Sequence, residues 1–252
     1  MEKHGPETYG ELNADVYDEW HAAHDPAEAV RGLVELIREG PAGPVFELAV
    51  GTGRVTIPLA ATGVDLRGVD ASEAMVARLR AKPGGDRIPV VIGDMADVDP
   101  GTDDLFAMVF VVFSTFFFLA DQEQQVRCFA NVAERLLPGG RFVLECPVPD
   151  VARYERDQTL ETYQVGLDRV RVVAVRHDPV NQRLDGHHVL ITNDGTRLAP
   201  AFMRYAWPAE LDLMARLAGL ERVHRWGGWR REPFRGEGNH VTVYEKPAGP
   251  TP

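Results

Sequence analysis

The stretch Val45-Phe46-Glu47-Leu48-Ala49-Val50-Gly51-Thr52-Gly53-Arg54 decides the fold. It begins as a near-continuous apolar run, the composition of a strand buried on both faces of a parallel sheet. It then breaks at Gly51-Thr52-Gly53, where missing Cβ atoms permit unusual dihedrals and close approach of a ligand to the backbone. Helical periodicity follows at Val55, Leu59 and Ala60, so the loop delivers its amides near a helix N-terminus. That order predicts a nucleotide-type pocket at the carboxyl end of a first parallel strand.

Two further stretches extend the pattern. Leu66-Arg67-Gly68-Val69-Asp70 reads as a second short strand ending in an acid, placed to accept hydrogen bonds from both hydroxyls of a ribose. Pro89-Val90-Val91-Ile92-Gly93-Asp94-Met95 reads as a third, closing on Gly-Asp-Met. A dinucleotide fingerprint requires a third glycine where Thr56 stands, and Glu47 inside the first strand is foreign to it. The pattern instead resembles motif I of the class I S-adenosylmethionine-dependent methyltransferases, Glu/Asp-x-Gly-x-Gly-x-Gly. Glu47, Gly51 and Gly53 match it, and Ala49 stands where the first glycine usually sits. Leu136-Leu137-Pro138-Gly139-Gly140 ahead of an apolar strand is a further point of resemblance.

The resemblance implies S-adenosylmethionine as cofactor, with S-adenosylhomocysteine as its product. It places cofactor contacts on Glu47, Ala49, Gly51, Gly53 and Arg54, on Asp70, Ala71 and Met75, and on Asp94, Met95 and Phe113. In that family the acid after the third strand takes the adenine amine, and the next residue's backbone touches the ring. The likeness is to bacterial small-molecule methyltransferases, sugar-amine enzymes among them. It covers residues 44–146 well and 147–246 in outline.

The rest of the chain fits one fold class. This is an α/β protein whose seven-stranded, mostly parallel, doubly wound sheet carries an antiparallel β-insert after strand five. Residues 1–40 are expected to form a helical lid, with Tyr17 and Trp20 on one helix face touching the cofactor. Residues 41–150 and 207–252 make the cofactor-binding core, and 151–206 the insert. Asp25-Pro26-Ala27-Glu28 is a helix start, capped by the acid with proline in first position. In the insert, Val170 to Val175, Gly186 to Thr192 and Leu198 to Trp207 read as β-segments. Asp178-Pro179-Val180-Asn181 and Asn193-Asp194-Gly195 supply the turns. Pro208 opens a helix, and Leu220 to Trp226 and His240 to Glu245 end the chain as strands.

Composition narrows the partners. The net charge is −11, from 38 acids against 27 bases, and no Lys/Arg-rich run offers the clustered contacts that nucleic acid requires. Two cysteines form no disulfide framework and no metal set, which fits a cytoplasmic protein in a reducing compartment. The apolar run from Leu105 to Ala120 is too short for a membrane span. The expected partner is a small-molecule acceptor, and the expected assembly a monomer or homodimer.

Methyl transfer from a sulfonium is an in-line displacement that demands alignment above all. A general base is an optional addition for a hydroxyl acceptor. Glu145, at the end of strand five, and His188, on an insert strand, are the candidate catalytic residues. Substrate contacts are expected from Phe116 and Phe117, from Arg204 and Tyr205, and from the loop carrying Trp226 and Trp229. Two competing readings remain: a nucleotide-dependent oxidoreductase, and a protein that holds the cofactor without transferring its methyl group.

Overall fold

The computed structural model describes residues 5–249; the outer ends of the first and last expected regions lie outside them. Two short helices, α1 (Thr8–Asn13) and α2 (Tyr17–Trp20), precede α3 (Ala27–Glu39). Of the expected helical lid, Tyr17 and Trp20 fall on the single turn of α2, which a short break separates from α1. Buried Asn13 donates its side-chain amide to the Tyr9 carbonyl within α1. The start of α3 is as predicted, with the Asp25 carboxylate accepting from the Ala27 amide at 2.9 Å.

From there strand and helix alternate. β1 (Val45–Leu48) leads through the glycine loop into α4 (Thr56–Ala60), then β2 (Leu66–Asp70), α5 (Glu73–Ala81), β3 (Val90–Ile92) and β4 (Phe106–Val111). Ser72 caps α5 by accepting from the Met75 amide. After β4 come α6 (Gln122–Arg135) and β5 (Leu136–Pro147). β1 and β4 are buried along their whole length, as strands covered on both faces must be.

Past β5 the chain builds a separate four-stranded antiparallel sheet of consecutive hairpins: β6 (Gln158–Val165), β7 (Arg169–Asp178), β8 (Arg183–Thr192) and β9 (Gly195–Arg204). One of its strands, β6, has no counterpart among the expected segments. Its sequence is polar and its side chains mostly exposed, so no buried face imprints a period of two. Helix α7 (Pro208–Leu217) then returns the chain to the core, with Pro208 in the first turn as expected. β10 (Glu221–Trp226) and β11 (Asn239–Glu245) complete the main sheet in the order β10-β11-β5-β4-β1-β2-β3. β11 is antiparallel to β5 and to β10, and the remaining pairings are parallel. The expected seven-stranded fold with its insert is the one observed.

Each face of the main sheet has its own core. Phe46, Phe106, Phe129, Phe142 and Tyr244 cluster on the α6 and α7 side. Leu33, Leu36, Val45, Phe110 and Val243 cluster on the α3 side. Burying each such side chain contributes about 1.5–3 kcal/mol. No helix among the described residues is long and apolar enough to cross a membrane.

The insert is fixed to the core by a buried polar seam. The Arg204 guanidinium donates to Gln125 (2.6 Å), Gln182 (3.0 Å) and Glu210 (2.6 Å). Tyr205 beside it is 5% exposed, and its hydroxyl lies 3.0 Å from a ring nitrogen of His177. This corrects the expectation that Arg204 and Tyr205 meet substrate: their polar groups are spent on the seam. The Trp226–Arg231 loop is corrected in the same way. Trp229 lies on α3, so close that a Cβ at Gly32 would fall 2.6 Å from its ring. Arg230 and Arg231 pair with Glu28 and Glu39 of the same helix, and Trp226 stacks on His224 with ring centroids 4.8 Å apart.

Candidate functional site

A cavity of about 1140 Å³, its open mouth included, lies at the carboxyl edge of the main sheet. That is the place where open α/β sheets take ligands. Its floor is built by the two loops that the sequence marked. The Asp70 carboxylate, at the tip of β2, accepts from the Gly51 amide (2.7 Å) and the Ser72 amide (2.8 Å). It thereby locks the glycine loop to the second strand. Burial raises its pKa, opposed by those two amides.

The glycines divide their work. Gly51 has φ +56, and nothing stands within 4 Å of where its Cβ would be, so that side of the backbone is open. Gly53, at φ +84, is hemmed in: a Cβ would sit 2.8 Å from Ile57 and 3.0 Å from Leu79. Ala49, in the place of a glycine, is itself left-handed at φ 58, a conformation that costs an L-residue about 1–2 kcal/mol. Ala49, Gly51, Asp70, Ala71 and Met75 all line the cavity, as do Asp94 and Met95 at the tip of β3.

An N-terminal strap closes one side. Tyr9, Gly10 and Tyr17 line the cavity. Glu11 accepts from the Ser72 hydroxyl (2.8 Å) and the Ala74 amide (3.0 Å) at the head of α5. Asp18 accepts from Thr52 (2.6 Å) and from Lys82 (3.0 Å), whose ammonium also donates to the Thr52 carbonyl (2.8 Å). Trp20, expected at the cofactor, is instead turned to the insert. It stacks on His188 at 5.3 Å, with the Arg171 guanidinium 4.7 Å over its ring.

Three titratable side chains cluster on the α3 side of the same edge. Arg54 lies over the Phe113 ring at 3.6 Å, and its Nη1 is buried with no hydrogen-bond partner among the described residues. Glu47 Oε2 is likewise buried and unpartnered. Glu145 accepts from the Phe113 amide at 3.0 Å, holding a loop in which Phe113 and Ser114 are both left-handed, at φ 56 and φ 65. Strain of this kind persists only where surroundings enforce it, and it concentrates at functional sites. Glu145, expected as a catalytic group, therefore anchors the end of β4 and does not line the cavity.

Burial pushes the Glu47 carboxyl up to about 8, from an ordinary value of 4.5. The folded chain keeps a proton there that the unfolded chain releases above about 4.5, so this group subtracts stability as pH rises between those values. In the ligand-free protein, Glu47→Gln is expected to gain melting temperature over the wild type as pH goes from about 5 to about 8. A gap that stays constant across that range would refute this account of Glu47.

At the far end the walls change character. Thr115, Phe118, Leu119 and Ala120 come from the turn after β4, Gln124 from α6, and Pro200 and Phe202 from β9. Phe116 and Phe117 are not among them; both are buried, and Phe116 packs edge-on against Phe129. Phe118 is the aromatic that faces the cavity, 4.8 Å from the Tyr9 ring. His188 stands behind Tyr9, with ring centroids 6.0 Å apart. Burial takes its pKa down to about 4, so it is neutral near pH 7.

A methyltransferase domain model matches residues 45–140. The structure of the CcbJ methyltransferase from Streptomyces caelestis superposes with a TM-score of 0.88 at 40% identity, covering 97% of this chain and 100% of that one. The chain belongs to the class I S-adenosylmethionine-dependent methyltransferases. A cypemycin N-terminal methyltransferase from a Streptomyces species is 29% identical over 243 residues, 94% of this chain and 97% of that protein. The fold is shared with S-adenosylmethionine-bound CalS10, an amino pentose methyltransferase from Micromonospora echinaspora. It has a TM-score of 0.66 at 21% identity, with 98% of this chain and 99% of that one covered.

The residues of this methyltransferase fit its cofactor. The open side of Gly51 and the Asp70 carboxylate suit a nucleoside, and Asp94 and Met95 suit its base. Arg54 and Glu47 do not line the cavity, but each keeps a buried atom with no partner among the described residues, which the carboxylate and ammonium of the cofactor's amino-acid end would satisfy. When bound, S-adenosylmethionine supplies an electrophilic methyl on sulfur. The oxidoreductase reading is set aside with the family.

Proposed function

We propose that this methyltransferase acts on an amine nitrogen of a small molecule. The observation that carries the reading is the chemistry of the far end of the cavity. Thr115, Phe118, Leu119, Ala120, Gln124, Pro200 and Phe202 bring no carboxylate and no imidazole to it. The Tyr9 phenol also lines the cavity; burial raises it further above its ordinary value, so it stays protonated and serves as a hydrogen-bonding wall. A hydroxyl acceptor profits from a base, by roughly 10²–10⁴-fold; a neutral amine already carries its lone pair. What remains for the chain is to desolvate that nitrogen against Phe118 and Phe202 and hold it in line. The relatives named for N-terminal and amino pentose methylation support the same class.

In this reading the N-terminal strap serves as the lid over the cofactor, and the insert, through Pro200 and Phe202, supplies the acceptor wall. The test is a screen of paired acceptors, each amine matched with its hydroxyl isostere, following S-adenosylhomocysteine release. Amines are expected to turn over, with a rate that rises with pH as the acceptor loses its proton. Turnover confined to the hydroxyl partners would overturn the proposal.

A further inference from the structure

Two consecutive glutamines in the first turn of α6 are put to different uses. Gln125 is buried, and its amide nitrogen donates to the carbonyls of Leu119 (3.1 Å) and Arg204 (2.7 Å). Gln124 is half-buried, and its Oε1 accepts from the Ala120 amide at 2.9 Å. Leu119, Ala120 and Gln124 all line the cavity, so the pair fixes this part of the acceptor wall before any ligand arrives. The bond to Ala120 also decides which way the Gln124 head faces. A backbone N–H requires an acceptor, so the oxygen must lie toward Ala120 and Nε2 away from it. Nε2 has no hydrogen-bond partner among the described residues.

That nitrogen is selective in a way its neighbours are not. The Thr115 hydroxyl and the Tyr9 phenol, on the same cavity, can each donate or accept, whereas an amide nitrogen only donates. Its complement is an oxygen. No lysine, arginine or histidine lines the cavity among the described residues, while Asp70 and Asp94 do. An anionic oxygen would enter without a counter-charge, a cost that a neutral one avoids. Among neutral oxygens, a hydroxyl brings a hydrogen that must find its own partner, and a carbonyl does not. We propose that Gln124 determines acceptor specificity, donating from Nε2 to an uncharged carbonyl oxygen of the molecule that carries the amine. The proposal rests on the amine reading above and narrows it to amines that also bear a ketone, ester or amide carbonyl. An acceptor without that oxygen leaves Nε2 desolvated and unpaired, and this is what rejects it.

The test extends the paired acceptors to triplets: a secondary amine bearing a ketone, its methylene counterpart and its carboxylate counterpart. Each is assayed with the wild type and with Gln124→Glu, which keeps an oxygen for the Ala120 amide and turns the donor into a second acceptor. The wild type is expected to prefer the ketone by about 10- to 100-fold in kcat/KM, carried mainly by KM. In Gln124→Glu the ketone-to-methylene ratio should fall to about one or below. Equal turnover across the triplet, or a preference that survives Gln124→Glu, would overturn the proposal and leave the amine reading intact. If no amine turns over, that reading fails and this proposal fails with it. Thermal melts show whether Gln124→Glu is folded; should it not be, magnetic resonance of the wild type decides. In glutamine-labelled protein saturated with S-adenosylhomocysteine, the Gln124 side-chain amide is identified by its loss in Gln124→Met. Its resonances must shift with the ketone amine and stay in place with the methylene one, and any other pattern rejects Gln124 as the donor.

Discussion

Asp70→Asn is expected to weaken S-adenosylhomocysteine binding by about 10- to 150-fold in calorimetric titration, the equivalent of roughly 1.5–3 kcal/mol. Two effects combine. Asp70 is the group at the tip of β2 with a carboxylate to offer a ribose, and a hydrogen bond to a charged acceptor is stronger than one to an amide. The same carboxylate also accepts from Gly51 and Ser72, one oxygen to each. Asparagine can keep only one of those bonds, because its amide nitrogen would face a second N–H donor. The loop that must present the open side of Gly51 therefore loosens as well. An Asp70→Asn protein that binds with wild-type affinity would mean that the ribose is held elsewhere.

Arg204→Ala is expected to destabilise the protein by about 3–5 kcal/mol, lowering its melting temperature by roughly 10 °C. The Arg204 and Glu210 side chains are 6% and 17% exposed. Burial pushes the Glu210 carboxyl up, but bonds from Gln182, Arg204 and Gln122 more than offset it and hold it below its ordinary range. Removing the guanidinium leaves that anion buried without its counter-charge, and strips Gln125 and Gln182 of a donor. Arg204→Lys keeps the charge but not the planar fork, and should fall between. If Arg204→Ala melts like the wild type and loses only acceptor turnover, the residue belongs to the substrate after all.

The loops proposed to hold the cofactor were legible because each directly follows its own strand. Glycine after β1, an acid after β2 and Gly-Asp-Met after β3 are local signals, and the sheet order alone brings them together. The residues proposed to meet the acceptor come from α1, the turn after β4, α6 and β9, which meet only through tertiary packing. Tyr9, Phe118, Gln124, Pro200 and Phe202 carry no spacing that would announce it. The Phe116–Phe118 run illustrates the difficulty. The left-handed pair Phe113 and Ser114 turns the chain so that the third phenylalanine, not the first two, reaches the cavity. Trp226 and Trp229 misled for the opposite reason. Large aromatics on a polar loop look like ligand contacts, and nothing in the sequence of α3 reveals that Gly32 leaves a seat for an indole.

The strap has divided attachments. Glu11 and Asp18 hold it to α5 and the glycine loop, while Asp15 and Glu19 pair with Arg197 and Arg169 of the insert. One short segment thus bears on the wall of each ligand's compartment, and neither wall can shift without pulling on the other. Cofactor and acceptor should therefore bind cooperatively, and the coupling must be reciprocal: whatever factor the first gains from the second, the second gains from the first. Beside the packing of Trp20 against His188 and Arg171, the charged ties to the insert are exposed ion pairs, each worth about 0–1 kcal/mol and screened by salt. The cooperativity should accordingly fade as ionic strength rises, and a factor indifferent to salt would mean that the two ligands communicate by another route.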